Sequence, residues 1–522
     1  MAHRATKLIP DPFTAVPSER ARPAVTVRDD LDAAHDLDAL GVLVHSDRPV
    51  PPQLGLPREA LERAGFEGKV GTSLLLPARD LLRVAVGGGR LAEQSATTLR
   101  DAAGALGRAT PRAQRLGLDL PHLGDVAADA AAQALVEGAL LARYRYSVLQ
   151  REPVDRPLTD LVLGLEGAGH EAAEEGAAAG ARAAHATAVA RDLANTPAGH
   201  LTATDLADAA VELGRAHGFE VEVFDQAALV EMGCGGLLGV NRGSVEEARL
   251  VRLRHAPDGA DAHLALVGKG ITYDSGGISL KPSDPMHLLM KMDMGGAAAI
   301  LGAFTGLRAA GVACRVTGFL ACTDNMPSGG AYVLGDVLHT RGGRTVEVRN
   351  TDAEGRLAMS DALVLAAEED PGAIVTVATL TGAALAALGP AMAVTLGTDQ
   401  RLVDRVLAAA EATAERAWQL PLERSYRPQL DSAVADIANL GGAHAGSITA
   451  GLFLAEFVGD VPWAHLDIAG TMQSESDDGW RPRGATGYGA RLLLELARRF
   501  GSDGADGSDG PDGADGAATG RA

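Results

Sequence analysis

The run His263-Leu264-Ala265-Leu266-Val267-Gly268-Lys269-Gly270-Ile271-Thr272-Tyr273-Asp274-Ser275-Gly276-Gly277 decides the architecture. Its first part, His263–Ile271, is apolar almost throughout, as expected of a strand buried on both faces. The glycines that follow permit a loop and close approach to its backbone. A strand covered on both faces needs helices above and below it and further strands beside it. The chain supplies them: Glu220–Phe224, Ala313–Ala321, Ile374–Leu380 and Ala393–Leu396 read as strands, with helices over Met286–Leu307 and Arg356–Ala367 between them. The expected result is a mostly parallel, helix-covered sheet. Such sheets bind ligands at the carboxyl ends of their strands, so the loops leaving His263–Ile271 and following Thr345–Arg349 are where chemistry belongs.

Toward the amino end, Leu40–His45 and Ser73–Pro77 read as strands, and Leu91–Ala105 and Val126–Leu141 as helices, a second α/β pattern. An Ala/Glu-rich helix, Glu171–Leu193, then runs into Asn195-Thr196-Pro197, where the proline closes it. A chain of 522 residues exceeds what one core organises. The expected plan is α/β in two domains: a smaller one at 24–168 and a larger one at 195–500 with a mostly parallel central sheet. A helix at 169–194 joins them, flanked by a flexible start (1–23) and a disordered Gly/Asp tail (501–522).

Composition narrows the function. The chain is 46% hydrophobic, yet no uncharged apolar run approaches the length of a membrane span. Residues 1–23 lack the apolar core of a secretory signal, so the expected address is the cytoplasm. Cys234, Cys314 and Cys322 form no C-x-x-C pair and sit among apolar neighbours; they read as buried free thiols. A formal charge of −21 repels phosphate backbones and anionic lipid, which weighs against nucleic acid and membrane as partners.

Arginine carries nearly all the positive charge. The only lysines are Lys7, Lys69, Lys269, Lys281 and Lys291, and the last three share one Gly-rich stretch. A lysine amine, unlike a guanidinium, can lose its proton, ligate a metal or act as a compact point charge. Acidic residues accompany these lysines: Asp274 after the first, Asp293 after the third, and Asp352 with Glu354 in the run Asn350-Thr351-Asp352-Ala353-Glu354-Gly355-Arg356. Taken singly, Asp274 would be a turn residue, Asp293 a helix-surface residue, and Asp352 and Glu354 a solvated loop pair. Together they supply about four negative charges, enough to balance two divalent cations, with Lys269 able to join as a neutral amine. Two cations roughly 3.5–4 Å apart can polarise a carbonyl and deprotonate a water, which suits amide hydrolysis at neutral pH.

Rival machinery is missing. His170-Glu171 is followed by Glu174 where a zinc helix would carry its second histidine, and no G-x-S-x-G elbow occurs. Lys269 is followed by Gly270, not the Ser or Thr of a phosphate-binding loop.

The run Asn350–Leu357 resembles the signature of the leucyl aminopeptidase (M17) metallopeptidases. The similarity extends to Gly268–Pro282, Met290–Gly296, Asn325–Gly329, Thr379–Gly382, Gly446–Gly451 and Trp463–Gly470, covering the chain from about Arg191 to Phe500. The resemblance implies an amino-terminal domain similar to macro domains and a catalytic domain behind it. It implies that Lys269, Asp274, Asp293 and Glu354 surround one metal and that Asp274, Asp352 and Glu354 surround the other, with zinc or manganese, or magnesium, as the ions. It further implies that Lys281 places its ammonium on the developing oxyanion and that Arg356 holds a bicarbonate serving as general base. Asn350, Ala353 and the backbone near Leu380 and Gly382 would bind the peptide, and Met290, Ala469 and Met472 would form an apolar pocket for a first residue such as leucine. A homohexamer is implied as well. Tyr273, Gly330, Val333-Leu334 and Thr376 depart from the family pattern; none is an expected metal ligand. The alternatives are a DNA-binding regulator with secondary peptidase activity and a two-metal phosphoesterase. The acidic charge disfavours the first, and the lack of histidine ligands the second.

Overall fold

The computed structural model of the chain describes residues 13–29, 31, 36–77, 81–165 and 169–500. The expected tail, 501–522, and most of the expected flexible start lie outside them. Two sheets organise the rest. The first contains β1 (Ala24–Arg28), β2 (Ala39–His45), β3 (Ser73–Leu76), β4 (Leu82–Gly89), β5 (Arg115–Asp119) and β6 (Asp160–Gly164) in the order β1-β6-β5-β2-β4-β3. Every pair is parallel except β3 with β4. Sequence reading starts a helix at Leu91; the structure has a short 3-10 turn there, and the α-helix begins at Ala96. Ser95 fixes that start through a capping box with Thr98, which satisfies two amide groups the helix would otherwise leave open.

The helix His170–Asn195 leads out of this sheet. Its small residues let it lie close to the helix Ala128–Arg143. A Cβ on Gly176 would stand 2.0 Å from the Asp129 carbonyl oxygen, and one on Gly180 2.6 Å from that of Gln133. The Ala/Gly-rich composition of the connecting helix is thus a packing surface.

Beyond it the strands run β7 (Glu220–Phe224), β8 (Arg249–His255), β9 (His263–Asp274), β10 (Arg315–Asn325), β11 (Val337–His339), β12 (Thr345–Glu347), β13 (Ala373–Ala378), β14 (Ala393–Gly397), β15 (Ala417–Gln419), β16 (Ile437–Ala438) and β17 (Trp463–Asp467). Eight of them form the central sheet, ordered β15-β14-β17-β13-β9-β10-β8-β7. Its middle, β17-β13-β9-β10, is parallel throughout, with antiparallel pairings toward both edges. The strand β9 separates two cores. Leu264 and Leu266 join the core that includes helix Gly295–Leu307, whereas Ala265, Val267 and Ile271 join the one that includes helix Glu354–Glu368.

Two expectations need correction here. Met286–Leu307 is not one helix: a short turn at Pro285–Leu288 and a 3-10 turn at Met290–Met292 precede the α-helix Gly295–Leu307. Its apolar residues satisfy a helical period, but the backbone leaves the helical path at Asp293 and Met294, and the α-helix starts only at Gly295. Nor does β9 stop at Ile271. It continues to Asp274, so Asp274 is the last residue of the strand and faces Asn325 of β10, as Lys269 within it faces Ala321. All three cysteines are buried and free. Among the described residues, no helix is long and apolar enough to cross a membrane.

Candidate metal centre

Because β9, β10, β13 and β17 are parallel, their carboxyl ends bring Asp274, Asn325, Thr379 and Asp467 to one edge of the sheet. Lys269 and Asp274 are five residues apart, a spacing that puts them on opposite faces of a regular strand. The register corrects this. Ile271 to Asp274 spans one residue more than the facing Thr323 to Asn325, and this bulge turns Asp274 to the face that Lys269 occupies. On that face lies the helix Glu354–Glu368, with Glu354 at its first position, where the positive end of the helix dipole favours a carboxylate. Gly355 is required there, since a Cβ would stand 2.5 Å from Cε of Lys269. Asp293 comes from the break between the 3-10 turn and the helix that follows. Asp352 sits in the loop before Glu354, its amide donating to Asn350 Oδ1 at 2.8 Å. The loop after β9 turns through Gly276 and Gly277, both at positive φ, and Thr351 Oγ1 docks it by donating to the Gly276 carbonyl at 2.7 Å.

The groups converge. Lys269 Nζ lies 2.8 Å from Asp293 Oδ2, 2.7 Å from Glu354 Oε1 and 3.0 Å from the Thr379 carbonyl oxygen. Lys281 Nζ lies 2.8 Å from Asp274 Oδ2 and 2.6 Å from Asp352 Oδ1. Oxygens of Asp274, Asp352 and Glu354 fall within 4.8 Å of one another. Lys269, Asp274, Asp293 and Glu354 are buried, and Asp352 stands at the open side.

Burial and mutual repulsion act on these acids. Desolvation, then the Glu354 charge, pushes the Asp274 carboxyl up to about 6. Desolvation raises Asp293 well above the usual range and raises Asp352 too. Burial would also raise Glu354, but the ammoniums of Lys269 and Lys281 and a backbone hydrogen bond together offset it and hold that carboxyl low. Burial opposes the charge on Lys269 and on Lys281, yet the facing carboxylates raise both amines. Four acids thus share two ammoniums.

A pair of divalent cations fits this donor set. The oxygens are hard donors, one amine stands among them, and Glu354 Oε2 is buried with no hydrogen-bond partner. Arg356, two residues into the same helix, donates through Nη1 to the Asn439 carbonyl at 2.9 Å, while its buried Nε has no partner. Burial lowers its guanidinium to about 10.

The remaining expected residues lie on segments next to those that carry the cluster. Met290, Ala469 and Met472 line one cavity of about 480 Å³, together with Leu385 and Tyr488. Ala353 precedes the helix of Glu354, and the Asn350 and Ala353 carbonyls both accept from Asn439 Nδ2, at 2.7 and 3.3 Å. Leu380 and Gly382 lie on the turn after β13, where Asp467 Oδ1 accepts from the Leu380 amide at 3.1 Å. Lys291 is the lysine that stays out: it donates to the Asn195 carbonyl at 2.6 Å, at the end of the connecting helix. Sequence reasoning assigned no role to Asn325, Thr379, Asn439 or Asp467. Asn325 Nδ2 donates to Asp274 Oδ1 at 2.8 Å, and Thr379 Oγ1 to Asp293 Oδ1 at 2.6 Å. The available signal was a polar residue at the carboxyl end of a buried apolar strand.

Comparison with known proteins agrees with this arrangement. Residues 188–494 match the catalytic domain of the cytosol aminopeptidase family, and residues 55–153 match its N-terminal domain. The chain belongs to the cytosol aminopeptidase family. It is 41% identical over 494 residues to a probable cytosol aminopeptidase of Roseiflexus castenholzii, covering 91% of this chain and 99% of that protein. A counterpart in Streptomyces avermitilis is 43% identical, covering 86% and 90%. Among solved structures, the bottromycin maturation enzyme BotP in complex with Mn is similar at 40% identity and a TM-score of 0.82, covering 89% of this chain and 99% of that one. A mutant of tomato leucine aminopeptidase is similar at 30% identity and a TM-score of 0.83, covering 92% and 97%. As a member of this family the protein is a metallo-aminopeptidase, a hydrolase acting with two metal ions at the amino end of peptides.

Proposed function

We propose that this cytosol aminopeptidase removes leucine and other apolar first residues from peptides at the Lys269–Glu354 cluster. The observation that carries the reading is the convergence of four acids and two lysines from four separate segments on one sheet edge. Lys269, Asp274, Asp293 and Glu354 would hold one zinc or manganese ion and Asp274, Asp352 and Glu354 the other, with magnesium as a substitute. When bound, the pair polarises the scissile carbonyl and lowers the pKa of a water toward neutrality.

The chain's own groups do the rest. Lys281, less buried than Lys269, presents a compact ammonium where negative charge develops on the carbonyl oxygen. Arg356 would hold a bicarbonate as general base, which its unpartnered Nε supports. The backbone around Leu380 and Gly382, with Asn350 and Ala353, orients the peptide. Met290, Ala469 and Met472 accept an apolar first side chain; the 480 Å³ cavity has room for leucine or methionine. Exposed Leu280, Leu288, Val333 and Leu334 support association into the homohexamer, and the names of the relatives support work in the cytoplasm. A dipeptide panel, run with the chelated protein and again after adding zinc or manganese, tests the reading. Metal-dependent release of the first residue, fastest for leucine and methionine, is the expected result; no release with any metal would overturn it.

A further inference from the structure

A second convergence of ligand-type side chains lies away from this site, where the amino-terminal segment crosses the connecting helix. Glu19, in the 3-10 turn Pro17–Glu19, meets His185 of helix His170–Asn195 and His217 at the end of helix Ala203–His217. Both imidazoles aim Nε2 at one carboxylate oxygen: His185 Nε2 lies 2.6 Å and His217 Nε2 2.9 Å from Glu19 Oε1. The rings are near-parallel with centroids 5.6 Å apart. All three side chains are largely buried, with 14%, 9% and 21% of His185, His217 and Glu19 exposed.

We propose that Glu19, His185 and His217 form a binding site for a further divalent transition-metal ion of the zinc class, with water as the remaining ligand. Two imidazole nitrogens and a carboxylate oxygen are donors that zinc takes in a four-coordinate site. Space for the water exists, because both histidines line a cavity of about 680 Å³. The carboxylate is pre-positioned by its neighbours: Val16 is part of the core of the larger domain, and the Ser18 amide donates to Asp192 Oδ2 at 2.8 Å. Burial lowers the His185 imidazole from its ordinary value. The competing group is Arg22, whose Nη2 lies 2.5 Å from Glu19 Oε2 and 3.0 Å from His217 Nε2. Its side chain is 47% exposed, so it can swing into water when an ion takes its place. The ion would pin the amino-terminal segment to two helices of the body.

Zinc uptake by the full-length protein tests this independently of the catalytic cluster, because the readout is a difference between variants. The double variant His185→Asn/His217→Asn is expected to take up one zinc equivalent fewer than the wild type. Glu19→Gln, which keeps one oxygen toward the histidines but loses the carboxylate charge and the acceptor for Arg22, is expected to weaken that equivalent. Arg22→Ala removes the competing cation and should tighten zinc binding roughly tenfold. Equal uptake by the wild type and the double variant, or unchanged zinc affinity in Glu19→Gln, would overturn the assignment.

Discussion

Two buried charge clusters in this molecule invite comparison. At the junction of the domains, Glu137 is fully enclosed and accepts from Arg100 Nε at 2.7 Å, Arg491 Nη1 at 2.6 Å and Gln133 Nε2 at 2.9 Å. Nearby, Glu415 accepts from the amides of Gly489 and Leu492, at 3.2 and 2.9 Å, and Arg491 lies over the Trp480 ring at 4.3 Å. Two acids there face two guanidiniums. At the sheet edge, four acids face two ammoniums, and one buried carboxylate oxygen has no partner. Burying a charge is costly unless it is paired, so the cluster whose charges balance holds together as it stands, although Arg491 Nε and Nη2 have no hydrogen-bond partner there, while the one with an excess of acids is built to receive further positive charge. Charge balance therefore separates a staple from a site more sharply than burial does.

That contrast can be broken by mutation. The largest effect should follow Glu354→Gln, which removes a carboxylate that both proposed ions share. Metal content and peptide hydrolysis should collapse, the rate by on the order of 10³-fold, while the melting temperature in chelator does not fall. Glu137→Ala should do the opposite. It strands two buried guanidiniums and should cost about 3–5 kcal/mol in urea unfolding, with kcat of the remaining folded enzyme unchanged. Lys281→Arg should retain both ions in elemental analysis yet lose about 100-fold in kcat, because a planar, bulkier cation cannot occupy the same point.

The smallest effect concerns Asp192, a buried acid outside both clusters that accepts from the Ser18 amide and from Tyr144 Oη at 2.9 Å. Desolvation pushes its carboxyl up to about 7, above an unfolded value of about 3.9. The folded state then holds the proton more tightly between those values, so this group makes stability fall as pH rises from about 4 to 7. Asp192→Asn should flatten that part of the stability profile by on the order of 2 kcal/mol. An unchanged slope in denaturation at pH 5 and pH 7.5 would refute the assignment.

Much of the site was legible because its residues break local patterns. Lys269 and Asp274 interrupt or end an apolar strand, and Asp352, Glu354 and Arg356 crowd a short loop between apolar segments. The two-sided burial of β9 likewise followed from its continuous apolar run. What stayed hidden depends on geometry that a period does not encode. The β9 bulge that turns Asp274 toward Lys269 is set by pairing with β10. The helix break that frees Asp293 lies in a stretch whose apolar spacing is compatible with one continuous helix. Lys291 sits beside Asp293 in sequence but bonds to the connecting helix, and Arg491 lies 354 residues from Glu137, its partner. The strands β1 and β4 also went unread, being short or rich in glycine.

The central claim, that the unbalanced cluster holds a pair of cations, is tested most directly by anomalous diffraction from crystals grown with manganese. Two peaks should lie within the cage of Lys269, Asp274, Asp293, Asp352 and Glu354, one within ligand distance of Glu354 Oε2. A map with no peak there, and with Lys269 still ion-paired to Asp293 and Glu354 in an active, manganese-saturated enzyme, would contradict the account.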